Sequence, residues 1–439
     1  MSAERRAVAK ATKRLIPFLF GIYIVAYLDR VNVSFAQLQL KDDLDFSSTI
    51  FGLGAGIFSL GYVIFGLPSN ILLQRFGARR WLSAIMVAWG LLSASMLFIE
   101  GATSFYVLRF LLGVAEAGFF PGIVLYLTWW FPEADRGRTL ALFMTAISAS
   151  YVIGGPLSGG LLELDGVAGL QGWQWLFLCE GLPAVALGFV ALRFLDDRPS
   201  DAEWLEPDER EALTSRIESE LQAKGAEGPG SGIGDALRSG QVWICALLYF
   251  IILSAAFGLT FFVPDLVQER TGLSDFEVGA LAAVPYSFAT VAMIVFAGRA
   301  DRSGKRRMYV IGLMLLGAVG VVLTAYVQTV VLLAFALTLS TVGLLAVIPI
   351  FWSLPTGFLT GSAAAAGIGA IAAIGNLGGF GGPAFTGAME DSTGDFVVPF
   401  LVLAGLLAVG CLLTLLVREP AVAAAPEPRA AAEAAEPVA

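Results

Sequence analysis

Gln74–Arg80 reads QRFGARR, and Asp301–Arg307 reads DRSGKRR, 227 residues further on. Each basic turn follows the second long apolar run of its half of the chain. The same offset relates Gly155-Pro156 to Gly382-Pro383, and Pro121 and Pro349 lie 228 residues apart. A repeat of this length, with its features in one order, predicts two six-helix halves standing in the same direction. Composition supplies the solvent: 57% of the 439 residues are hydrophobic and 14% charged, with mean hydropathy +0.77, the balance of a chain dissolved in lipid. Runs long enough to cross a bilayer begin near Leu15, Thr49, Trp81, Ser104, Thr139, Trp175, Val242, Glu277, Met308, Val330, Ala363 and Val397. The expectation is an all-α membrane protein of twelve transmembrane helices, with halves at residues 1–195 and 242–418. Between them, 196–241 reads as a charged connector with a surface helix that starts at Pro207 and carries a Leu213, Ile217, Leu221 stripe. The Ala/Pro/Glu tract at 419–439 has no periodicity and reads as a disordered tail.

Orientation follows from the cations. Of 27 Lys and Arg residues, 23 fall on the side of the N-terminus, the exceptions being Lys41 and Arg270 opposite and Arg30 and Arg109 within spans. The positive-inside rule then places both termini in the cytoplasm of a multi-pass protein of the inner, cytoplasmic membrane. The net charge of -9 and the lack of a basic stripe exclude nucleic acid as a partner. The first apolar run lacks a cleavage site and reads as a retained helix. Cys179, Cys245 and Cys411 sit in apolar runs at no metal-like spacing, so no disulfide, metal or cofactor is expected. The chain has no histidine, which leaves carboxylates to carry any proton chemistry.

Charge inside the membrane is therefore informative. Tyr27–Ala36, YLDRVNVSFA, puts Arg30 roughly 22 Å into a hydrocarbon layer of about 30 Å, where an ionised side chain costs about 3 kcal/mol and needs a partner. The fourth span supplies Arg109 at the level of Arg30, and Glu116 seven residues on, about 10 Å deeper on the same helix face. Asp29 points about 100° from Arg30, so it is expected to face Arg109 on the neighbouring helix. At the repeat offset, Arg30 falls at Phe257 or Gly258, Arg109 at Ala336 or Leu337 and Glu116 at Gly343 or Leu344. Charges confined to one half argue for function over architecture. Glu180 of the sixth span reads equally as structural or functional. The Gly154–Gly160 and Gly375–Pro383 runs read as close-packing segments, and Asn376 needs partners at its depth. Arg75, Asp301 and Arg302 in the basic turns read as orientation and gating residues.

Together, YLDRVNVSFA, LRFLLGVAEAGFFPG, DRPSDAEWL, FWSLPTGFL and AIGNLGGFGGP resemble the anion:cation symporter family of the major facilitator superfamily over nearly the whole chain. That resemblance implies a carrier and no enzyme, working as a monomer by alternating access. It implies proton-coupled uptake of a small organic anion, a hydroxy acid, sugar acid or aromatic acid. By the resemblance Arg30 anchors the substrate carboxylate, Asp29 and Glu116 carry protons, and Arg109 partners the acids. Tyr27, Tyr62, Ser353 and Asn376 then line the central site. Two departures stand out: Gln74 replaces the acid of the first basic turn, and Tyr151 precedes a GPxxGG run that resembles part of an antiporter motif. Proton-driven export of a drug or metabolite is the alternative, and a non-transporting membrane sensor a further one.

Overall fold

The computed structural model describes residues 2–226, 238–358 and 361–418, so the expected tail at 419–439 lies outside the described residues. Twelve helices among them are long and apolar enough to span a bilayer. They are Ala3–Leu44, Ser48–Phe76, Ala78–Phe98, Ala102–Trp130, Glu133–Leu162 and Gly172–Phe194 in the first half. Gly240–Thr271, Asp275–Ala300, Arg306–Tyr326, Val330–Trp352, Gly367–Thr393 and Val397–Leu416 make the second. The first begins a dozen residues before the apolar run, because Ser2 caps it and its first turns are solvated helix. The fourth is interrupted after Glu116, where Ala117 and Gly118 turn the chain before a second helix, Phe119–Trp130. A β-carbon on Gly118 would stand 1.7 Å from Ser69 Oγ, so the turn needs glycine there.

The halves meet through two pairs of spans related by the repeat. Span 2 packs on span 11, and span 8 packs on span 5. Both seams are closest at the ends remote from the connector, called here the distal face. At the distal end Gly155 and Gly279 approach so closely that a β-carbon on either would come within 2.2 or 2.0 Å of the other's carbonyl oxygen. Polar links sit at the same level: Lys41 Nζ to Asp265 (2.6 Å), Gln37 to Asp265 (3.1 Å), Gln39 to Asp275 (3.0 Å), and the Ser48 and Thr49 amides to Asp391 (3.0 and 2.7 Å). Among the described residues, every hydrogen bond and ion pair between the halves lies at this distal end. The connector-side lengths of spans 2 and 8 leave Leu67, Ile71, Val291 and Ile294 exposed. The glycine contacts and polar links between the halves are thus concentrated at the distal end.

The connector helix, Pro207–Ala226, docks under the first span. Leu213 and Ile217 of its expected stripe are buried, while the side chain of Leu221 lies outside those described. Glu209 is 1% exposed and receives Lys10 (2.8 Å) and Arg6 (3.3 Å). Those partners hold its carboxyl below the usual glutamate range, the Lys10 hydrogen bond contributing most.

Candidate functional site

Arg30 is the charge that reaches open space. Its side chain is 17% exposed, and its Nη2 donates to Glu116 Oε2 at 2.9 Å, with the Glu116 side chain only 1% exposed. Rings cover the guanidinium: its centre lies 5.1 Å from the Tyr27 and Tyr62 centroids and 5.3 Å from Phe58. Each such contact favours the cation by about 0.5–2 kcal/mol. One donor, Nε, is buried with no partner among the described residues. The site therefore offers a guanidinium with one edge bound to an acid and another donor unused. The break in the fourth span explains why the acid is here, since Glu116 ends the upper helix and its side chain turns to span 1.

Arg109 occupies the level expected of it, 5.1 Å from the same Phe58 ring, but its bonding corrects the expected pairing with Asp29. Its Nε donates to the Gly54 carbonyl (3.2 Å) and its Nη2 to that of Ala55 (3.4 Å). Span 2 reads GLGAG here, and its small residues leave those carbonyls within reach of a neighbouring guanidinium. Asp29 turns instead to the third span, accepting from Ser93 Oγ at 2.6 Å and from Asn32 Nδ2 at 3.4 Å. The helical wheel correctly separated Asp29 from Arg30 but named the wrong neighbour, because it carries no information on which helix packs there.

Among the other candidates, Tyr27 and Tyr62 join Arg30, whereas two do not. Ser353 Oγ donates to the Ile350 carbonyl (2.6 Å), and its own carbonyl accepts from Arg306 (3.5 Å), which ties it to the ninth span. Asn376 Nδ2 donates to the Ala372 carbonyl of its own helix at 2.8 Å. Arg75 and Arg302 are exposed on the connector face, and the side chain of Asp301 lies outside those described. At the first basic turn, where Gln74 stands, the Asp197 carboxylate accepts from the Arg79 amide at 2.8 Å. Sequence reasoning passed over Phe58, Ser93 and Asn32. Phe58 stands in an apolar run where one more ring carries no signal, but Asn32 was visible as an amide one turn from Asp29.

The sequence matches the Major Facilitator Superfamily profile over residues 19–380 and again over 246–438. The chain belongs to that superfamily. Two overlapping matches are what a duplicated six-helix unit gives. This facilitator is 47% identical, over 95% of its length and 96% of the relative's, to an Agrobacterium vitis protein named "Putative tartrate transporter". It is 37% identical to an Acinetobacter baumannii protein named "Quinolone resistance transporter", covering 95% of each chain or nearly so (95% and 96%). Its fold is shared with a bacterial homologue of the human lysosomal transporter Spinster in an inward-facing, occupied conformation. That likeness has a TM-score of 0.76 at 15% identity, covering 92% of this chain and 96% of that one. A membrane transporter of the facilitator type, and no enzyme, is the shared denominator.

Proposed function

We propose that this facilitator takes up a small organic carboxylate, with a tartrate-like hydroxy acid as the leading class, together with protons across the cytoplasmic membrane. The observation that carries the reading is the Arg30–Glu116 pair: a reachable guanidinium whose counter-ion can be neutralised. The relatives named for tartrate support the substrate class. With Glu116 ionised, its carboxylate holds Nη2 and opposes any other anion. Once Glu116 takes a proton, the guanidinium is free to bind a substrate carboxylate through two parallel N–H donors. Substrate binding then requires the proton, and losing the proton toward the connector side expels the anion. Asp29 serves as a second proton carrier on the far side of span 1. The concentration of 23 cations on the connector face supports placing it and both termini in the cytoplasm, so the conformation described is the inward-open one. Arg75, Asp301 and Arg302 then stand where the cytoplasmic ends must close, as gating residues. The complete site within one chain supports a functional monomer.

Tartrate uptake into proteoliposomes, with and without an inward proton gradient, tests this. Glu116→Gln mimics the protonated acid, so it should bind and exchange tartrate yet lose gradient-driven accumulation. Accumulation by Glu116→Gln equal to that of the parent would move coupling elsewhere. The relative named for quinolone resistance favours a second reading, export, which predicts proton-driven quinolone efflux and no tartrate uptake.

A further inference from the structure

Behind span 1, away from Arg30, Asp29 stands near a further acid, Glu180, that the uptake reading leaves unused. Glu180 of span 6 is 2% exposed, and its Oε1 accepts from Ser158 Oγ of span 5 at 2.8 Å. The amide of Asn32, itself 0% exposed, lies alongside the Glu180 carboxylate and donates through Nδ2 to Asp29 Oδ1. The arrangement runs Glu180, Asn32, Asp29 across spans 6 and 1. Neither acid has a Lys or Arg within 4.0 Å among the described residues.

Three of its oxygens, Glu180 Oε2, Asn32 Oδ1 and Asp29 Oδ2, are buried with no hydrogen-bond partner among the described residues. All three are acceptors. Burying an ionised carboxylate without a cation costs more than neutralising it, so such a group takes a proton. A proton on Glu180 Oε2 removes the unpaired buried charge and gives that oxygen an O–H to donate, while the neighbouring Asn32 amide is a donor to the ionised form. The ionised form keeps the Ser158 hydroxyl as a donor, so both forms have a bonded state. The groups facing this acid are few. Span 5 brings Ser158, span 3 brings Ser93 and Trp89, and span 1 brings Asn32 and Asp29; Glu116 and Arg109 of span 4 also lie within electrostatic reach of Asp29.

We propose that Glu180 is a proton-binding site of this protein, distinct from the Arg30–Glu116 pair, joined to Asp29 through Asn32 and to the distal seam through Ser158. The proton is taken from water as an O–H bond to Oε2 and returned to water when the acid ionises. Ser158 lies between Gly155 and Gly159, the two positions where span 5 touches Gly279 and Asp275 of the other half. Parting the halves at that seam moves the donor that stabilises the ionised form, which links the proton's uptake to the distal opening and its release to distal closure.

The test needs no substrate, so its failure is separable from failure of the uptake reading. Infrared difference spectra of the purified, full-length protein between acid and alkaline pH report the carbonyl stretch of each protonated carboxyl group. One such band should disappear in Glu180→Gln. In Ser158→Ala, which keeps the acid and removes its donor, the same band should change frequency and titrate at higher pH. Spectra of Glu180→Gln identical to the parent's would overturn the proposal. If Glu180→Gln does not fold, an unchanged band and midpoint in Ser158→Ala would overturn it alone.

Discussion

The two halves repeat one fold and use its interior differently. Where the first half holds Arg109 and Glu116 in span 4, the second places Ala336 and Gly343 in span 10, both buried. Gly343 lets that span press onto span 9: a β-carbon there would stand 2.3 Å from the Gly317 nitrogen. Gly320 meets Ser340 in the same way, at 2.2 Å. Span 4 instead packs on span 2, through Gly113 against the Phe58 carbonyl, which holds Phe58 between the two arginines. The second half therefore uses small residues for helix packing at the depth where the first half mounts charge. One architecture thus tolerates a charged core only where an aromatic wall and a broken helix accommodate it.

The sharpest way to break this contrast is Arg30→Ala. Removing one partner of a hydrogen-bonded charge pair between protein and ligand costs about 2–5 kcal/mol of binding, so tartrate affinity should fall about thirtyfold or more. Isothermal titration measures it, and Arg30→Lys should fail as well, since an ammonium lacks the two-pronged geometry. Unchanged affinity would remove the charged half from the site. The complementary change, Gly343→Glu, places an acid at the repeat position of Glu116. With no cation and no room, it should destabilise the protein by about 3 kcal/mol or more, read as a lowered thermal midpoint. A variant as stable as the parent would show the second half's core to be looser than its packing implies.

Smaller effects belong to the joints. Asp265→Asn loses the Lys41 ion pair that ties the halves distally. This pair is part-exposed, worth about 0.5–1 kcal/mol, so labelling at an Ala282→Cys reporter in the distal seam should accelerate about 2- to 5-fold. No acceleration would show that the glycine seam alone holds the halves. The mildest effect is at the connector. Glu209 has a folded pKa below its unfolded one, so its stabilising contribution is full above the unfolded value, near 4.3, and fades as pH falls through the folded value. Proteolysis of the connector should therefore quicken below about pH 4 in the parent and show little such dependence in Glu209→Gln.

Much of this was legible from residue order. Hydropathy and the 227-residue repeat placed the span starts within about six residues of those observed, apart from the first, whose solvated opening turns carry no apolar signal. The level shared by Arg30 and Arg109 followed from helical rise alone. What failed was neighbourhood: the wheel gives a direction on one helix and not the helix it meets, so Asp29 was assigned to Arg109 and not to Ser93. The turn after Glu116 was also missed. The GFFPG stretch there reads as continuous lipid-depth helix until Ser69 of span 2 is seen filling the place of a side chain on Gly118.

The facing glycines of the distal seam have a practical corollary. Because Gly155 and Gly279 leave no volume between their backbones, even a methyl group at either position acts as a wedge against the distally closed arrangement. Under the uptake reading, the seam would be a single-atom setting of the equilibrium between the two faces. A chain carrying that wedge would be the natural antigen for raising binders that recognise the carrier with its distal mouth open.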